Sequence, residues 1–253
     1  MKYQRALLLN TFLFFALATA AHVAFAGMTI SGTRVIFPGS EKEQTVRTNN
    51  KNDTPTLVQV WVDDGNKNTD LNNIKVPFTA TPPVYRVEPG KGQSVRLIYN
   101  GMPLPQDRES VFWFNMLEIP PMNEKVNDTD RLELAFRTRI KIFYRPTALK
   151  GSSANEFEKL RWEIISPTRG IKVNNPTPYY FSFDSAIAYS GNTQYPLVAD
   201  MIPPFGSKEF ALASKNKVPA TIGSVEVRLI NDYGGVVKYQ LTHSTGNTLS
   251  IKK

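Results

Sequence analysis

The stretch from Arg131 to Pro146, which reads RLELAFRTRIKIFYRP, constrains the fold more than any other part of the chain. Its residues alternate in polarity, which is the period of a β-strand whose two faces meet different surroundings. Apolar side chains stand at Leu132, Leu134, Phe136, Ile140, Ile142 and Tyr144, and polar or charged ones at Arg131, Glu133, Arg137, Arg139 and Lys141. The pattern alone leaves two interpretations open: a half-buried strand of a sandwich, or an edge strand that pairs with a partner chain.

The rest of the chain consists of short apolar runs separated by turns rich in glycine, proline, asparagine and aspartate. No segment has a convincing amphipathic helical period, so we predict an all-β chain of two β-sandwich domains, residues 27–146 and 151–253. In the run LVQVWV at residues 57–62, Trp61 is expected to fill a core position. The prolines that follow Thr81 predict a sheet edge or bend and allow a cis bond at Thr81–Pro82.

Residues 1–26 have the pattern of a cleaved secretory signal. Lys2 and Arg5 precede a short apolar run, and the sequence AFA at residues 24–26 matches a cleavage site. A membrane anchor is the alternative, but the apolar run is short and no basic stop-transfer cluster follows it. We therefore expect export without stable membrane insertion. Because residues 1–26 hold two basic and no acidic side chains, the formal charge of +8 becomes +6 after cleavage. A positive balance favours acidic or carboxylate-bearing partners.

The chain offers little of the chemistry that catalysis requires. It has no cysteine, which excludes disulfides and cysteine-ligated metals, and His243 is the single histidine after residue 26. A lone histidine near a C-terminus is far more often a surface residue than a ligand or a base. Neither a Ser/His/Asp arrangement nor a glycine-rich phosphate loop is visible. We therefore expect no enzyme activity, no metal and no cofactor, and the lack of an aromatic-interleaved basic platform argues against nucleic acid.

Several blocks of sequence resemble the periplasmic chaperones of the chaperone–usher pathway, which assembles pili and fimbriae. The blocks follow the same order along the whole mature chain and read LPQDRES at 104–110, FN at 114–115, IPP at 119–121, RIKIFYRP at 139–146, NNPTPYY at 174–180 and INDYGG at 230–235. The resemblance implies two immunoglobulin-like β-sandwich domains set at an angle, with a cleft between them. It also implies a periplasmic chaperone that binds, folds and caps pilus subunits by donor-strand complementation and delivers them to the outer-membrane usher.

The resemblance assigns the donor strand to Leu132, Leu134 and Phe136. Side chains two residues apart on a strand are roughly 6.6 Å apart on one face, so they can enter successive pockets of a subunit that lacks its last strand. The subunit's terminal carboxylate is expected between Arg34 and Lys141. Lys141 differs in parity from the donor residues, so the strand must either use both faces or contain a bulge.

Two further groups of residues come from the resemblance. Glu109, Arg145 and Asp232 match positions where the family links its domains by charge. Docking on the usher is assigned less securely, to Leu57, Gln59, Thr81, Pro82 and Arg96. The short loop at 122–130 resembles the subfamily that mostly assembles rod-like pili.

Three competing or additional interpretations stand beside the chaperone. A secreted adhesin or carbohydrate binder on the same fold should show an exposed aromatic platform, whereas Trp61, Trp113 and Trp162 lie in apolar strand contexts. An enzyme would need a nucleophile with its base, or a metal. An exposed apolar donor edge also makes a self-capping homodimer plausible when no subunit is bound.

Overall fold

The computed structural model describes residues 27–66, 74–119, 134–244 and 246–252. The signal segment 1–26 and the donor residue Leu132 therefore lie outside the described residues. In the first half of the chain, the described residues form nine strands: β1 (Met28–Ile30), β2 (Arg34–Pro38), β3 (Glu43–Asn50), β4 (Thr56–Asp63), β5 (Phe78–Thr81), β6 (Val84–Val87), β7 (Gly92–Tyr99), β8 (Ser110–Ile119) and β9 (Phe136–Arg145).

The nine strands form two sheets packed face to face, in the orders β1-β3-β7-β5 and β2-β9-β8-β4-β6. The inward side chains of both sheets make one core, which includes Val46, Val58, Val95, Phe114 and Ile142, each at most 2% exposed. The chain leaves the first sheet after β1 and joins the second at β2, turning at Gly32, whose φ of 94° suits glycine. This crossover places β2 beside β9.

Two local expectations have different outcomes. The Thr81–Pro82 bond is cis, at the bend between β5 and β6. The expected core position of Trp61 is wrong: its side chain lies on the outer face of β4 and is only half-buried, because Val58, Val60 and Val62 take the inward positions. The guanidinium of Arg137 covers its ring at 4.9 Å from the centroid.

The second half begins with a short 3-10 helix, Ala154–Lys159, and continues with eight strands between residues 161 and 251, of which all but residue 245 are described. They are β10 (Arg161–Ser166), β11 (Gly170–Asn174), β12 (Ser182–Ser190), β13 (Thr193–Leu197), β14 (Ser207–Ala211), β15 (Ser224–Ile230), β16 (Val236–His243) and β17 (Thr248–Ile251). The strand order is β13-β12-β15-β16-β17-β10-β11-β14. The outermost strands meet again, because Leu197 bridges Leu212 and the Val198 N–H donates to the Ala211 carbonyl at 2.7 Å.

The folded-over sheet of the second half encloses a separate core. Trp162, Phe157, Phe181 and Phe210 are at most 1% exposed and form a connected set of tilted and edge-to-face ring pairs. The chain is thus all-β, with two sandwich domains in the arrangement expected. The boundaries at 146 and 151 stay a prediction. Within the described residues, no helix has the length and hydrophobicity needed to cross a membrane.

Candidate functional site

Strand β9 has one fully paired edge and one edge that is only half paired. On one side it pairs with β8 in an unbroken register, from Glu118↔Phe136 to Ser110↔Tyr144. On the other side the parallel partner β2 covers only its second half, from Arg34↔Lys141 to Pro38↔Arg145. Among the described residues, no strand pairs with the edge of β9 from Phe136 to Ile140. This open edge can accept a strand from another chain.

The predicted donor residues flank the open edge. Phe136 opens β9 and is 63% exposed, and Leu134, 57% exposed, lies just before the strand. The expected strand from Arg131 is therefore shortened, since within the described residues it begins at Phe136. The sequence left open whether β9 contains a bulge or uses both of its faces. The β8–β9 pairing has no bulge, so Phe136 and Lys141 lie on opposite faces of the strand.

Arg34 and Lys141 are direct neighbours in the parallel β2–β9 pair. They line a cavity of about 350 Å³ between the two domains, together with Trp113, Arg139, Asp184 and Ile230. Arg34 is held across the cleft, because its Nη1 donates to the Ile230 carbonyl at 3.0 Å and its guanidinium lies 5.5 Å from the centre of the Phe143 ring. The predicted anchor residues thus face one cleft.

Arg34 and Lys141 are both partly buried cations, and an anion bound beside them would stabilise their charges. Burial lowers the pKa of Arg34, and burial together with the nearby Arg34 charge lowers the pKa of Lys141. Neither forms an ion pair within 4.0 Å with a described residue, and the buried Nε of Arg34 has no hydrogen-bond partner there. A carboxylate would neutralise the charges and supply acceptors for these donors.

The structure brings Glu109, Arg145 and Asp232 into one network at the domain boundary. Arg145 donates from Nε to Glu109 Oε1 at 2.8 Å and from Nη1 to Asp232 Oδ2 at 2.8 Å. Glu109 also accepts the backbone N–H of Tyr180 at 2.8 Å, so one carboxylate joins both domains. Burial raises the pKa of Glu109, and the Arg145 charge opposes that shift.

Replacing Arg145 by methionine is expected to loosen the relative orientation of the domains. The substitution leaves the nearly buried Glu109 carboxylate without its cation, which should lower the free energy of unfolding by about 1–3 kcal/mol. Small-angle scattering should report a broader range of shapes, and calorimetry should show the two domains melting separately. The matched control is Arg169→Met, which removes an exposed pair with Glu209; equal effects of the two substitutions would contradict this role for Arg145.

The residues assigned to usher docking form two adjoining groups. Leu57, 42% exposed, and the half-buried Gln59 lie on the outer face of β4, while Thr81 pairs with the exposed Arg96 between β5 and β7. Val84 connects the two groups, because it follows the Thr81–Pro82 bend, pairs with Gln59 and is 48% exposed. Its exposure could not be read from the sequence, where it resembles any strand valine.

A polar network on the outer face of β4, β8 and β9 was not anticipated. The Asp63 carboxylate, 2% exposed, accepts hydrogen bonds from Arg139, from Arg137 at 3.1 Å and from Asn115 at 2.9 Å. The guanidinium of Arg139 also covers the Trp113 ring at 5.0 Å, as Arg137 covers Trp61. The signal was present as polar residues of equal parity on three strands, but only their register brings them together.

The Asp63 network ties β9 to the sheet along the segment whose other edge is open. Replacing Asp63 by asparagine should lower the free energy of unfolding by about 1.5–3 kcal/mol, because it removes the negative charge between two guanidinium groups and turns one acceptor oxygen into an amide donor that faces other donors. Hydrogen exchange should accelerate at residues 136–140 more than in β3 or β7. Asp64→Asn, an exposed neighbour, is the control, and uniform acceleration across the domain would argue against local support of β9.

The architecture and the cleft define a class of protein: two immunoglobulin-like β-sandwiches in which a strand edge without a described partner lies beside a basic cleft. Two family models match, "Pili and flagellar-assembly chaperone, PapD N-terminal domain" over residues 27–150 and "Pili assembly chaperone PapD, C-terminal domain" over residues 155–241. The chain belongs to this family of pilus-assembly chaperones.

Individual relatives agree with the family models. A probable fimbrial chaperone YadV of Escherichia coli strain K12 is 44% identical, over 85% of this chain and 89% of its own length. The chaperone FimB/FhaD of Bordetella pertussis is 39% identical, over 88% and 91%. A crystal structure of a YadV chaperone superposes with a TM-score of 0.73 at 40% identity, over 86% of this chain and 100% of its own.

A solved complex adds information about a relative's partner. The SafB chaperone of Salmonella enterica, in complex with the SafA pilin, matches with a TM-score of 0.73 at 29% identity, covering 88% of this chain and 99% of its own.

Proposed function

We propose that this chain is a chaperone that binds and caps pilus or fimbrial subunits by donating β9 and the residues before it as a missing strand. One observation carries the proposal: the open edge at Phe136–Ile140 ends at the Arg34–Lys141 pair. An exposed apolar strand edge next to two cations without ion-pair partners among the described residues suits a polypeptide that ends in a carboxylate. The pilin complex of the relative SafB supports this class of partner.

The proposal also implies a direction for the bound chain. A carboxylate held by Arg34 and Lys141 cannot continue along β9 toward Arg145, because β2 occupies that edge. The bound chain must therefore extend along the open half toward Phe136, so that its C-terminus lies at Lys141. It then runs in the same direction as β9, as a parallel strand. The anchor fixes its register, which main-chain hydrogen bonds alone specify weakly.

Apolar insertion supplies most of the affinity in this proposal. Burying a large apolar side chain is worth roughly 1.5–3 kcal/mol, so Leu134 and Phe136 together contribute about 3–6 kcal/mol before ordering costs. Leu132, two residues earlier, is proposed as the next donor residue. Main-chain hydrogen bonds add about 1 kcal/mol net each. The carboxylate anchor then determines the register in which these side chains meet the pockets of the subunit.

The proposal extends to export, delivery and self-association. The signal pattern at residues 1–26 supports a periplasmic location, where pilus subunits await assembly. The exposed surface of Leu57, Val84 and Arg96 supports docking on an outer-membrane usher. The exposed Leu134 and Phe136 support a homodimer that covers both donor edges in the free protein.

The carbohydrate-binding alternative loses its basis, because the three tryptophans do not form an exposed platform. Arg137 covers Trp61, Arg139 covers Trp113, and Trp162 is only 1% exposed.

Co-expression in a bacterial periplasm tests the proposal. We expect a candidate pilus subunit to be recovered as a soluble one-to-one complex with this chain, and to aggregate or be degraded without it. The matched control co-expresses the subunit with the Arg34→Ala variant, which removes half of the anchor. If the subunit stays soluble without this chain, or copurifies equally with the variant, the proposed chaperone function is contradicted. The chain would then be a binding module whose partner is undefined.

A further inference from the structure

The side chain of Glu118 contacts the first residues of the described chain, close to the proposed donor residue Phe136. Its Oε2 accepts the backbone N–H of Met28 at 2.9 Å, and its Oε1 accepts the side-chain amide of Asn52 at 2.7 Å. Glu118 lies at the end of β8 and is the direct cross-strand partner of Phe136. Glu118 is not among the residues assigned to subunit binding, usher docking or the interdomain network, so these assignments give its carboxylate no role.

Gly27 lies against the same carboxylate. A Cβ built on Gly27 would be 2.6 Å from Glu118 Oε2, and the α-nitrogen is attached to the same Cα. By standard backbone dimensions that nitrogen lies within about 5 Å of Oε2. The Gly27 carbonyl is held separately, since it accepts the Lys51 N–H at 3.3 Å. Main-chain contacts therefore position this end of the chain, and the residue has no side chain to obstruct the approach to Glu118.

Cleavage after Ala26 would change the chemistry at Gly27. Hydrolysis of that peptide bond consumes one water molecule, leaves a carboxylate on Ala26 and converts the Gly27 amide nitrogen into an amine. An α-amine has a pKa of about 8, so it is a cation at neutral pH. We propose that Glu118 is the binding site for the α-ammonium group of Gly27 in the processed protein. The proposal rests on the export proposed above.

The ion pair would stabilise the part of the sheet next to the proposed donor residue Phe136. Gly27, Met28, Met116, Glu118 and Phe136 line a cavity of about 420 Å³, along with Asn52 and Thr138, and Glu118 is the one titratable side chain among these described lining residues. An ammonium held by Glu118 joins the start of β1 to the end of β8 at the position where Phe136 leaves the sheet. In the unprocessed chain the same nitrogen is an uncharged amide, so the full attachment forms only after cleavage.

The first test measures the titration of the amino terminus. Protein purified from the periplasm should begin at Gly27 by mass spectrometry. After reductive methylation with ¹³C-formaldehyde, the α-amino signal should titrate at higher pH in the wild type than in Glu118→Gln. Glu41→Gln, an exposed carboxylate on the same domain, should leave the titration unchanged. Equal titration in wild type and Glu118→Gln, or a chain beginning at another residue, would overturn the proposal.

A second variant keeps the test independent of any folding defect in Glu118→Gln. A processed chain carrying one extra residue, Ala26, retains Glu118 but moves the ammonium one residue away. We expect its amino terminus to titrate as in a peptide and its thermal midpoint to fall below that of the wild type. This difference should be present below pH about 8 and disappear as the wild-type amine loses its proton. A pH-independent difference, or none, contradicts the ion pair, while subunit capture still tests the chaperone function separately.

Discussion

Lys141→Ala is expected to abolish productive subunit capture while the protein folds normally. The substitution removes one of the two cations proposed to hold the subunit's terminal carboxylate. Losing one partner of a desolvated, hydrogen-bonded charge pair typically costs about 2–5 kcal/mol, which corresponds to an affinity loss of roughly 30- to 4,000-fold. Titration of refolding subunit with wild-type and variant chaperone, followed by gel filtration of the complex, measures this loss directly.

The free fold should not suffer from this substitution. Burial and the neighbouring Arg34 lower the pKa of Lys141, so the folded protein disfavours the charged form that neutral pH imposes. For a base with a depressed pKa, this unfavourable contribution is fully present below the folded pKa, where both states are charged, and it is lost as pH rises through the folded pKa toward the unfolded one. At neutral pH, Lys141→Ala therefore removes a cost, and its thermal midpoint should equal or exceed that of the wild type.

Two further variants sharpen this experiment. Lys91→Ala removes an exposed lysine of the same domain and should bind subunits as the wild type does. Lys141→Arg keeps the charge but changes its shape, so partial capture is expected. Wild-type affinity in Lys141→Ala would remove the carboxylate anchor from the proposal, and loss of stability in that variant would assign the residue to the fold instead.

Leu134→Glu is expected to prevent complex formation for a different physical reason. In the free protein Leu134 is 57% exposed, so a glutamate there is solvated and the fold tolerates it. In the complex the same side chain would have to enter an apolar groove, where an unpaired carboxylate is far more costly than a leucine. We expect affinity to fall at least as much as in Lys141→Ala, measured in the same assay.

The matched control for Leu134 is a substitution that preserves apolar volume. Leu134→Met should retain most of the affinity, because the two side chains fill similar space. A second comparison, Val198→Glu, places the same charge at an exposed apolar residue of the second domain, 56% exposed and far along the chain from β9. If Leu134→Glu captures subunits normally, or Val198→Glu fails equally, insertion of Leu134 into the subunit is contradicted.

Much of the architecture followed from local patterns. Alternating apolar residues predicted strands at 57–62 and 94–99, because a strand buried on one face must alternate, and the structure has them as the slightly longer Thr56–Asp63 and Gly92–Tyr99. The resemblance of long sequence blocks led to the family and to Glu109, Arg145 and Asp232, which meet in one network. Strands with weaker signals were missed, including Thr193–Leu197, which contains Pro196, and the short Thr248–Ile251 at the chain end.

The sequence by itself determined the all-β class and the family, since these depend on residue type and order, and it supplied Arg34 and Lys141 as the proposed anchor cations. Only the tertiary structure decided that β2 covers half of β9 and that no other described strand pairs with the same edge at Phe136–Ile140. It also decided that Trp61 faces outward beneath Arg137 and that Asp63 and Glu118 are shared between elements distant in sequence. The physical reason is strand register: pairing offsets depend on the packing of whole sheets, and a shift of one residue would turn each of these side chains to the opposite face.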